Sequence, residues 1–263
     1  MSKIYEALEK AKQDKQITKE HDFFPLLEDG TAEVKDLVVL SEPGSPIAES
    51  FRFLRSRVTR PADGNPPRTI LITSALQGEG KTFVACNLAA SISQSVEEHV
   101  LLIDADLRDP SVHKVFGIPS SREGLSTLLT TDAPLSSLLE KSNIDKLTIL
   151  PAGNSTEMPA ELLSSAKMKA LIREARDRYA DGFVIIDGPP LQLTAETQVL
   201  ANEVDAIILV VRHGKTPRDA AKSALEKIQK EKLLGVVYNG YDEPAKLYNR
   251  YGYYKYGYGK EKT

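Results

Sequence analysis

The residues best suited to chemistry lie in one glycine-rich segment, Ala75–Thr82 (ALQGEGKT). It follows an apolar run and precedes a stretch of small residues, which is the strand, loop and helix order of a phosphate-binding P-loop. Gly78 and Gly80 would let main-chain N–H groups surround phosphates at a helix N-terminus. Lys81 would reach the β- and γ-phosphates, and the Thr82 hydroxyl would bind Mg²⁺. The segment predicts nucleotide binding, and a glycine-rich turn without a ligand is the alternative.

Two further apolar runs end in carboxylates. The segment 101–108 (LLIDADLR) contains Asp104 and Asp106, and the segment 184–190 (VIIDGPP) contains Asp187. A carboxylate at the end of a strand beside a P-loop holds Mg²⁺ directly or through water. Three carboxylates exceed the needs of one metal ion, so we expect one to orient or deprotonate an acceptor hydroxyl. For each aspartate alone, a turn or N-cap role is the alternative.

An alternation of short apolar runs and helical segments must hold these residues. We predict strands at Thr69–Ser74, Val100–Asp104, Leu147–Leu150, Phe183–Asp187, Ala206–Val211 and Leu233–Tyr238. We predict helices at Lys81–Ser93, Pro159–Tyr179, Ala195–Asn202 and Pro217–Lys230, with shorter ones within 110–142. Because each strand is apolar on both faces, the predicted fold class is α/β, a mostly parallel sheet with helices on both faces. A ligand would then bind at the carboxyl ends of the strands.

Two helices are predicted before this alternation. The first, from Ser2 to about Lys19, is short and amphipathic and would pack on the body or on a partner. Residues 20–45 have the composition of a linker or covering arm. The second helix is Pro46–Thr59, with a predicted buried stripe of Ile47, Phe51, Leu54 and Val58.

Length and composition exclude several classes of protein. The 263 residues are 41% hydrophobic and 27% charged, which suits one large domain or one domain with appended segments. No apolar run approaches the ~18–20 residues of a membrane helix, and the start lacks the apolar core of a secretory signal. A single cysteine, Cys86, excludes an internal disulfide and a zinc or iron–sulfur site within one chain. We therefore interpret the chain as soluble and cytoplasmic.

The carboxyl terminus is the unusual part of the composition. The chain has ten tyrosines and no tryptophan, and six tyrosines lie in the last sixteen residues: Tyr248, Tyr251, Tyr253, Tyr254, Tyr256 and Tyr258. From Lys246 onward the net charge is +4, so the remainder carries −7 of the total −3. This tail lacks the apolar content to pack, and we predict that it is flexible. A basic extension that binds nucleic acid by stacking and charge is the alternative.

The order of these motifs resembles that of the bacterial tyrosine kinases linked to polysaccharide export. The P-loop is followed by three apolar residues with D-x-D-x-R and then by three apolar residues with D-x-P-P. The upstream segment Glu49-x-x-Arg52-x-x-Arg55 resembles the oligomerisation motif of this family, and the tyrosine cluster resembles its autophosphorylation tail. The resemblance covers about residues 40–263. It divides the chain into an N-terminal helix and linker (1–40), a kinase domain (41–245) and a tail (246–263).

The resemblance implies ATP and Mg²⁺ as cofactors and assigns roles to residues. ATP would be bound by Gln77, Gly78, Glu79, Gly80, Lys81, Thr82, Phe83 and Asn239. Asn239 is equally a turn former. Mg²⁺ would be held by Thr82, Asp106 and Asp187. The catalytic residues would be Lys81, Asp104, Asp106 and Arg108. Among these, Asp104 would be the base for the incoming tyrosine, and Arg108 would supply a supporting positive charge.

The resemblance also implies an assembly. The chain would be an autokinase that phosphorylates tail tyrosines of neighbouring subunits and regulates polysaccharide synthesis or export. Glu49, Arg52 and Arg55 would dock on the next subunit of a ring; an i,i+3 surface ion pair is the alternative. The membrane-spanning activator domain of many family members is not found in the sequence. We therefore expect a separate membrane partner that recruits the chain to the inner face of the membrane, a cognate tyrosine phosphatase, and no nucleic acid.

Two departures from related patterns bear on the alternatives. Gln77 stands where this family often has proline, which should change the stiffness of the loop more than its ligand contacts. Leu76 stands where partition and division-site ATPases place a signature lysine. The runner-up is nevertheless a P-loop ATPase switch of that type which positions a partner, and a third reading is a non-catalytic ATP-binding scaffold. A eukaryote-type kinase is excluded, because its H-R-D, D-F-G and V-A-I-K motifs are absent from the sequence.

Overall fold

The computed structural model describes residues 36–241, except 62–63, 121, 179–181 and 193–194. The predicted N-terminal amphipathic helix and the tyrosine-rich tail lie outside the described residues. The domain boundaries drawn at residues 245 and 246 therefore stay predictions. Among the described helices, none is long and apolar enough to cross a membrane.

The described residues form a seven-stranded sheet. Its strands are β1 (Thr69–Ser74), β2 (His99–Asp104), β3 (Glu140–Lys141), β4 (Leu147–Leu150), β5 (Gly182–Asp187), β6 (Ala206–Arg212) and β7 (Leu233–Asn239). Their spatial order is β3-β4-β2-β5-β1-β6-β7, and every neighbouring pair is parallel except β3 with β4. The predicted α/β fold with a mostly parallel sheet is confirmed.

Helices cover both faces of the sheet. They are α1 (Val38–Ser41), α2 (Pro46–Thr59), α3 (Lys81–Ser93), α4 (Val112–Val115), α5 (Leu125–Thr130), α6 (Leu135–Leu138), α7 (Pro159–Leu163), α8 (Ala166–Arg178), α9 (Ala195–Glu203) and α10 (Arg218–Glu226). Within β1, Leu71 belongs to one core cluster and Ile70 and Ile72 belong to the other. Because successive side chains of a strand point to opposite faces, β1 is buried on both sides.

The sheet brings the carboxyl ends of the central strands together. β1 lies between β5 and β6, and β2 lies on the other side of β5. Asp104 at the end of β2 is paired in register with Asp187 at the end of β5. Since β1 leads directly into the P-loop, the glycine-rich segment and both carboxylate segments meet at one edge of the sheet.

Four features differ from the prediction, and one is that the helix predicted over Pro217–Lys230 ends at Glu226. The helix predicted over Pro159–Tyr179 is two helices, because Ser165 Oγ accepts a hydrogen bond from the Met168 N–H in the manner of an N-cap and starts α8 anew. Ile47 is half exposed rather than buried, although Phe51 and Val58 of the same stripe are buried. The short antiparallel strand β3 was not predicted.

The segment before α2 is part of the packed body. Leu37 and Val39 are buried in the core cluster around α3. The Val39 N–H donates to Asn87 Oδ1 at 3.3 Å, and Asn87 Nδ2 donates to the Asp36 carbonyl at 2.7 Å. These contacts place residues 36–40, assigned above to the linker, against the domain that carries the site.

Candidate active site

The P-loop has the backbone that phosphate binding requires. Gly78 and Gly80 have φ angles of 76° and 90°, in the left-handed region that glycine adopts without strain. Helix α3 begins at Lys81, so the loop ends at a helix N-terminus. Main-chain N–H groups at such a terminus are free to bind an anion, and the helix dipole favours one there.

Lys81 and Thr82 contact two of the predicted carboxylates. Lys81 Nζ lies 2.7 Å from Asp106 Oδ2, with both side chains nearly buried. The Thr82 hydroxyl donates to Asp187 Oδ2 at 2.6 Å. The fold thus brings these four residues to one place from the ends of three different strands.

Asp104 is held differently from the other two aspartates. Its side chain is fully buried, and its oxygens accept main-chain hydrogen bonds from Asp106, Ser111 and Val112 at 3.1–3.2 Å. Burial, followed by repulsion from Asp187, raises the pKa of Asp104 well above its ordinary value. Asp104 therefore anchors the loop that follows β2, and its carboxyl keeps a proton to higher pH than an exposed carboxyl does.

The remaining charges of the site leave an excess of negative charge. Burial opposes the charge on Lys81, but the carboxylates of Asp187 and Asp106 outweigh it and raise the pKa of Lys81. Burial raises the pKa of Asp187 to about 6, although Lys81 and the Thr82 hydrogen bond oppose the rise. Three aspartates around one lysine form a site to which a cation is attracted.

One carboxylate oxygen of the site has no hydrogen-bond partner among the described residues. This oxygen, Asp187 Oδ1, is buried, while Oδ2 of the same side chain accepts a hydrogen bond from Thr82. An unsatisfied buried carboxylate oxygen is costly, and a hard cation would satisfy it. Among the described residues, no group of three or more His, Cys, Asp or Glu side chains is arranged for a metal. Mg²⁺ takes one or two carboxylates and completes its ligands with phosphate and water.

Arg108 is bound to a residue that was not predicted. Its Nε and Nη2 both donate to Glu196 Oε1, at 3.1 and 2.9 Å. The Glu196 side chain is buried, and that of Arg108 is about half exposed. Glu196 follows the D-x-P-P segment by several residues at the start of α9, and no motif marks it.

The far side of the P-loop is held by the ends of β6 and β7. Asn239 Nδ2 donates to the Glu79 carbonyl at 2.8 Å, and Arg212 Nη1 donates to the Gly78 carbonyl at 2.9 Å.

The Glu79 side chain is also held. The Thr216 hydroxyl donates to Glu79 Oε1, and the Leu76 N–H donates to Glu79 Oε2 at 2.8 Å. These contacts stabilise the loop from within the chain. Arg212 and Thr216 were not predicted.

Three of the predicted nucleotide-binding residues have other contacts of their own. The Asn239 amide donates to the P-loop main chain, and its Oδ1 accepts from the Gly240 N–H, while its contact with ATP stays a prediction. The ring of Phe83 packs edge-to-face on Phe51 of α2, with centroids 5.7 Å apart. Gln77 Nε2 donates to Asp109 Oδ2 at 3.0 Å and so links the P-loop to the loop after β2.

The predicted oligomerisation residues make contacts within the chain. Arg52 is bonded to Glu49 and to the Pro43 carbonyl. Arg55 Nη1 donates to the Ser91 carbonyl near the end of α3 at 2.8 Å. The six tail tyrosines predicted as phosphoacceptors lie outside the described residues.

Comparison with known proteins agrees with the motifs. A family model described as an AAA domain matches residues 67–232. The tyrosine-protein kinase YwqD of Bacillus subtilis is 37% identical over 227 residues, which cover 86% of this chain and 93% of that protein. The succinoglycan biosynthesis transport protein ExoP of Rhizobium meliloti is 33% identical over 233 residues, which cover 82% of this chain and 29% of that longer protein.

A solved structure extends the likeness to the fold. The kinase domain of the Escherichia coli tyrosine kinase ETK is 26% identical and superposes with a TM-score of 0.73, covering 95% of this chain and 91% of that one. The family match, the relatives and the P-loop at the sheet edge all agree. The chain therefore belongs to the bacterial tyrosine kinases and is a nucleotide-binding protein-tyrosine kinase.

Proposed function

We propose that this kinase transfers the γ-phosphate of ATP to tyrosines in the tails of neighbouring subunits, within a pathway of polysaccharide synthesis or export. The observation that carries the proposal is the contact of Lys81 and Thr82 with Asp106 and Asp187 at the edge of the sheet. The pathway is supported by the name of ExoP, a succinoglycan biosynthesis transport protein.

ATP and Mg²⁺ would be bound by two adjoining sets of residues. The P-loop, from Gln77 to Phe83, would bind the phosphates of ATP through its main chain and through Lys81. Thr82, Asp106 and Asp187 would hold Mg²⁺, as the unbonded oxygen of Asp187 suggests. When bound, Mg²⁺ neutralises charge on the phosphates and orients them.

Asp104 is the proposed base. A tyrosine phenol has a pKa near 10, so its proton must leave during transfer, and the ionised carboxylate of Asp104 would accept it. Because Asp104 is buried beneath three main-chain N–H groups, the incoming hydroxyl has to displace at least one of these bonds. Arg108 would stabilise charge in the transition state, and Glu196 would hold its guanidinium in place.

The tail is the proposed substrate, and its charge gives a means of regulation. Its net charge of +4 would attract it to a body of −7 or to the aspartate-lined site of a neighbour. Six phosphotyrosines would add about −9 to −12 and reverse the sign of the tail. Unmodified tails would therefore hold a ring together, and accumulated phosphate would loosen it.

The proposed partners follow from the family. The matched segment covers 29% of ExoP. We propose that the activator is a separate membrane protein. We place the kinase in the cytoplasm, at the inner face of the membrane when this partner is bound. A cognate tyrosine phosphatase would remove the phosphate from the tail tyrosines.

A mixing experiment tests transfer between subunits. A Lys81→Met chain, which cannot label itself, is mixed with a chain that lacks residues 246–263 and is incubated with Mg·ATP and the activator. We expect phosphotyrosine on the Lys81→Met chain, detected by immunoblot and mass spectrometry. Lys81→Met alone is the control and should stay unlabelled.

Two results would contradict the proposal. Wild-type protein that labels itself while the mixture does not would point to transfer within one chain. ATP turnover by wild type without phosphotyrosine, even with the activator, would favour the P-loop ATPase switch. Leu76 already argues against that alternative, because a partition-type ATPase has lysine there.

A further inference from the structure

We propose that Ser111 is a positioning residue that orients the Thr82 hydroxyl toward the metal ion. The inference rests on the proposed Mg²⁺·ATP site and adds to it a residue that lies outside the D-x-D-x-R motif. Ser111 is three residues beyond Arg108, immediately before α4. Its Oγ lies 2.9 Å from Thr82 Oγ1.

The direction of this hydrogen bond follows from counting protons. The Thr82 hydroxyl has one proton, and an ionised carboxylate accepts hydrogen bonds only, so that proton is donated to Asp187 Oδ2. Thr82 must then accept the bond from Ser111. Of the two lone pairs of Thr82 Oγ1, one is occupied by Ser111 and one is left for a cation. Ser111 therefore determines which direction around Thr82 Oγ1 remains open to a metal.

Ser111 also joins the two halves of the site. Its main-chain N–H donates to Asp104 Oδ2 at 3.2 Å, while its side chain contacts Thr82. The proposed base and the proposed metal ligand are thus connected through one residue. A change confined to the side chain leaves the main-chain bond to Asp104 in place, so the two roles of Ser111 are experimentally separable.

The test measures the affinity for ADP by titration calorimetry, once with Mg²⁺ and once with EDTA. In Ser111→Ala, we expect ADP affinity in Mg²⁺ to fall about tenfold, the loss typical of removing a partner of a metal ligand. In EDTA, it should stay within about twofold of wild type. Ser111→Thr keeps a hydroxyl and should restore the affinity in Mg²⁺.

A matched control is Ser126→Ala. The Ser126 hydroxyl donates to the Asn154 carbonyl at 3.0 Å and is part-buried near the end of β4, without contact to Thr82. The Ser126→Ala substitution should change ADP affinity by less than twofold in both buffers. Thermal unfolding without metal checks that all variants are folded.

Any of the following results would contradict the inference. Unchanged affinity of Ser111→Ala in Mg²⁺ would show that the hydroxyl does not orient the metal ligand. An equal loss in EDTA would assign Ser111 a purely structural role, and a Ser111→Thr protein as weak as the alanine variant would exclude the hydroxyl as the cause. A wild type with the same ADP affinity in both buffers would instead overturn the proposed Mg²⁺ site itself, and the role of Ser111 with it.

Discussion

At the scale of single residues, the P-loop is tightest at Gly80. A Cβ atom there would lie 2.1 Å from Asn239 Nδ2, the atom that donates to the Glu79 carbonyl. Any side chain at residue 80 would therefore push Asn239 off the loop. The φ angle of 90° adds a second cost, because residues other than glycine rarely adopt it.

We therefore expect Gly80→Ala to destabilise the protein by about 2 kcal/mol, half from backbone strain and half from the lost Asn239 bond. Nucleotide affinity should fall as well. The matched control is Gly64→Ala, at φ 84° with no atom within 4 Å of the added Cβ, which should cost about 1 kcal/mol and leave affinity unchanged. Urea unfolding measures the stability of each variant, and ADP titration measures its nucleotide affinity. Equal effects of the two substitutions would show that the Asn239 contact contributes nothing.

The residues of the site differ in how well the sequence predicts them. Lys81 and Thr82 are recognisable because the P-loop is a continuous segment between a strand and a helix. Glu196 carries no such signal: its partner Arg108 is 88 residues away, and they meet only because β2 and β5 are neighbours with a given register. Arg212, whose partner Gly78 is 134 residues away, depends in the same way on β1 pairing with β6.

At the scale of secondary structure elements, α2 is tied to the helix that follows the P-loop. Arg55 of α2 donates to the Ser91 carbonyl near the end of α3, where helix carbonyls lack partners and a positive charge is favourable. Arg52, one turn earlier, is hydrogen-bonded to Glu49 and to the Pro43 carbonyl, and all of these are at the surface. The two arginines of the predicted oligomerisation motif are therefore expected to behave differently.

We expect Arg55→Ala to lower the free energy of unfolding by about 1 kcal/mol, because it removes a part-buried hydrogen bond. Arg52→Ala should change it by less than about 0.5 kcal/mol. Chemical denaturation at low protein concentration measures both, and light scattering of the same samples reports the particle mass. An Arg55→Ala protein with unchanged stability and a smaller particle would show that Arg55 acts only between subunits.

The elements themselves were largely predictable, for a physical reason. The central strands are apolar on both faces and are bounded by turn residues, so each was located to within a residue or two. The prediction was wrong where tertiary packing determines burial or where a capping residue determines the start of a helix. Ile47 fits the helical stripe but lies on the exposed first turn of α2, and Ser165 interrupts an otherwise continuous helical pattern by capping α8. The edge strand β3 is only two residues long, too short to show a pattern.

At the scale of the whole molecule, the proposed function makes the assembly depend on charge. A tail of +4 on a body of −7 should favour association of subunits at low salt, and phosphate on the tail should oppose it. We expect the light-scattering mass of wild type to fall after incubation with Mg·ATP and activator. Lys81→Met should keep its mass under the same conditions. A phosphorylated protein that keeps the mass of the unmodified one would contradict electrostatic control of assembly.

The attachment point of the tail has a mechanical consequence. Asn239, which holds the Glu79 carbonyl, is the last residue of β7, and only Gly240 and Tyr241 separate it from the chain that leads to the tail. A force that draws the tail toward a neighbour would be passed along the backbone to the strand end that carries this bond. Capture of a subunit's tail by a neighbour would therefore strain the bond between Asn239 and the P-loop of that same subunit. Tail binding at the neighbour's site and nucleotide binding at the subunit's own site would then be coupled through the end of β7.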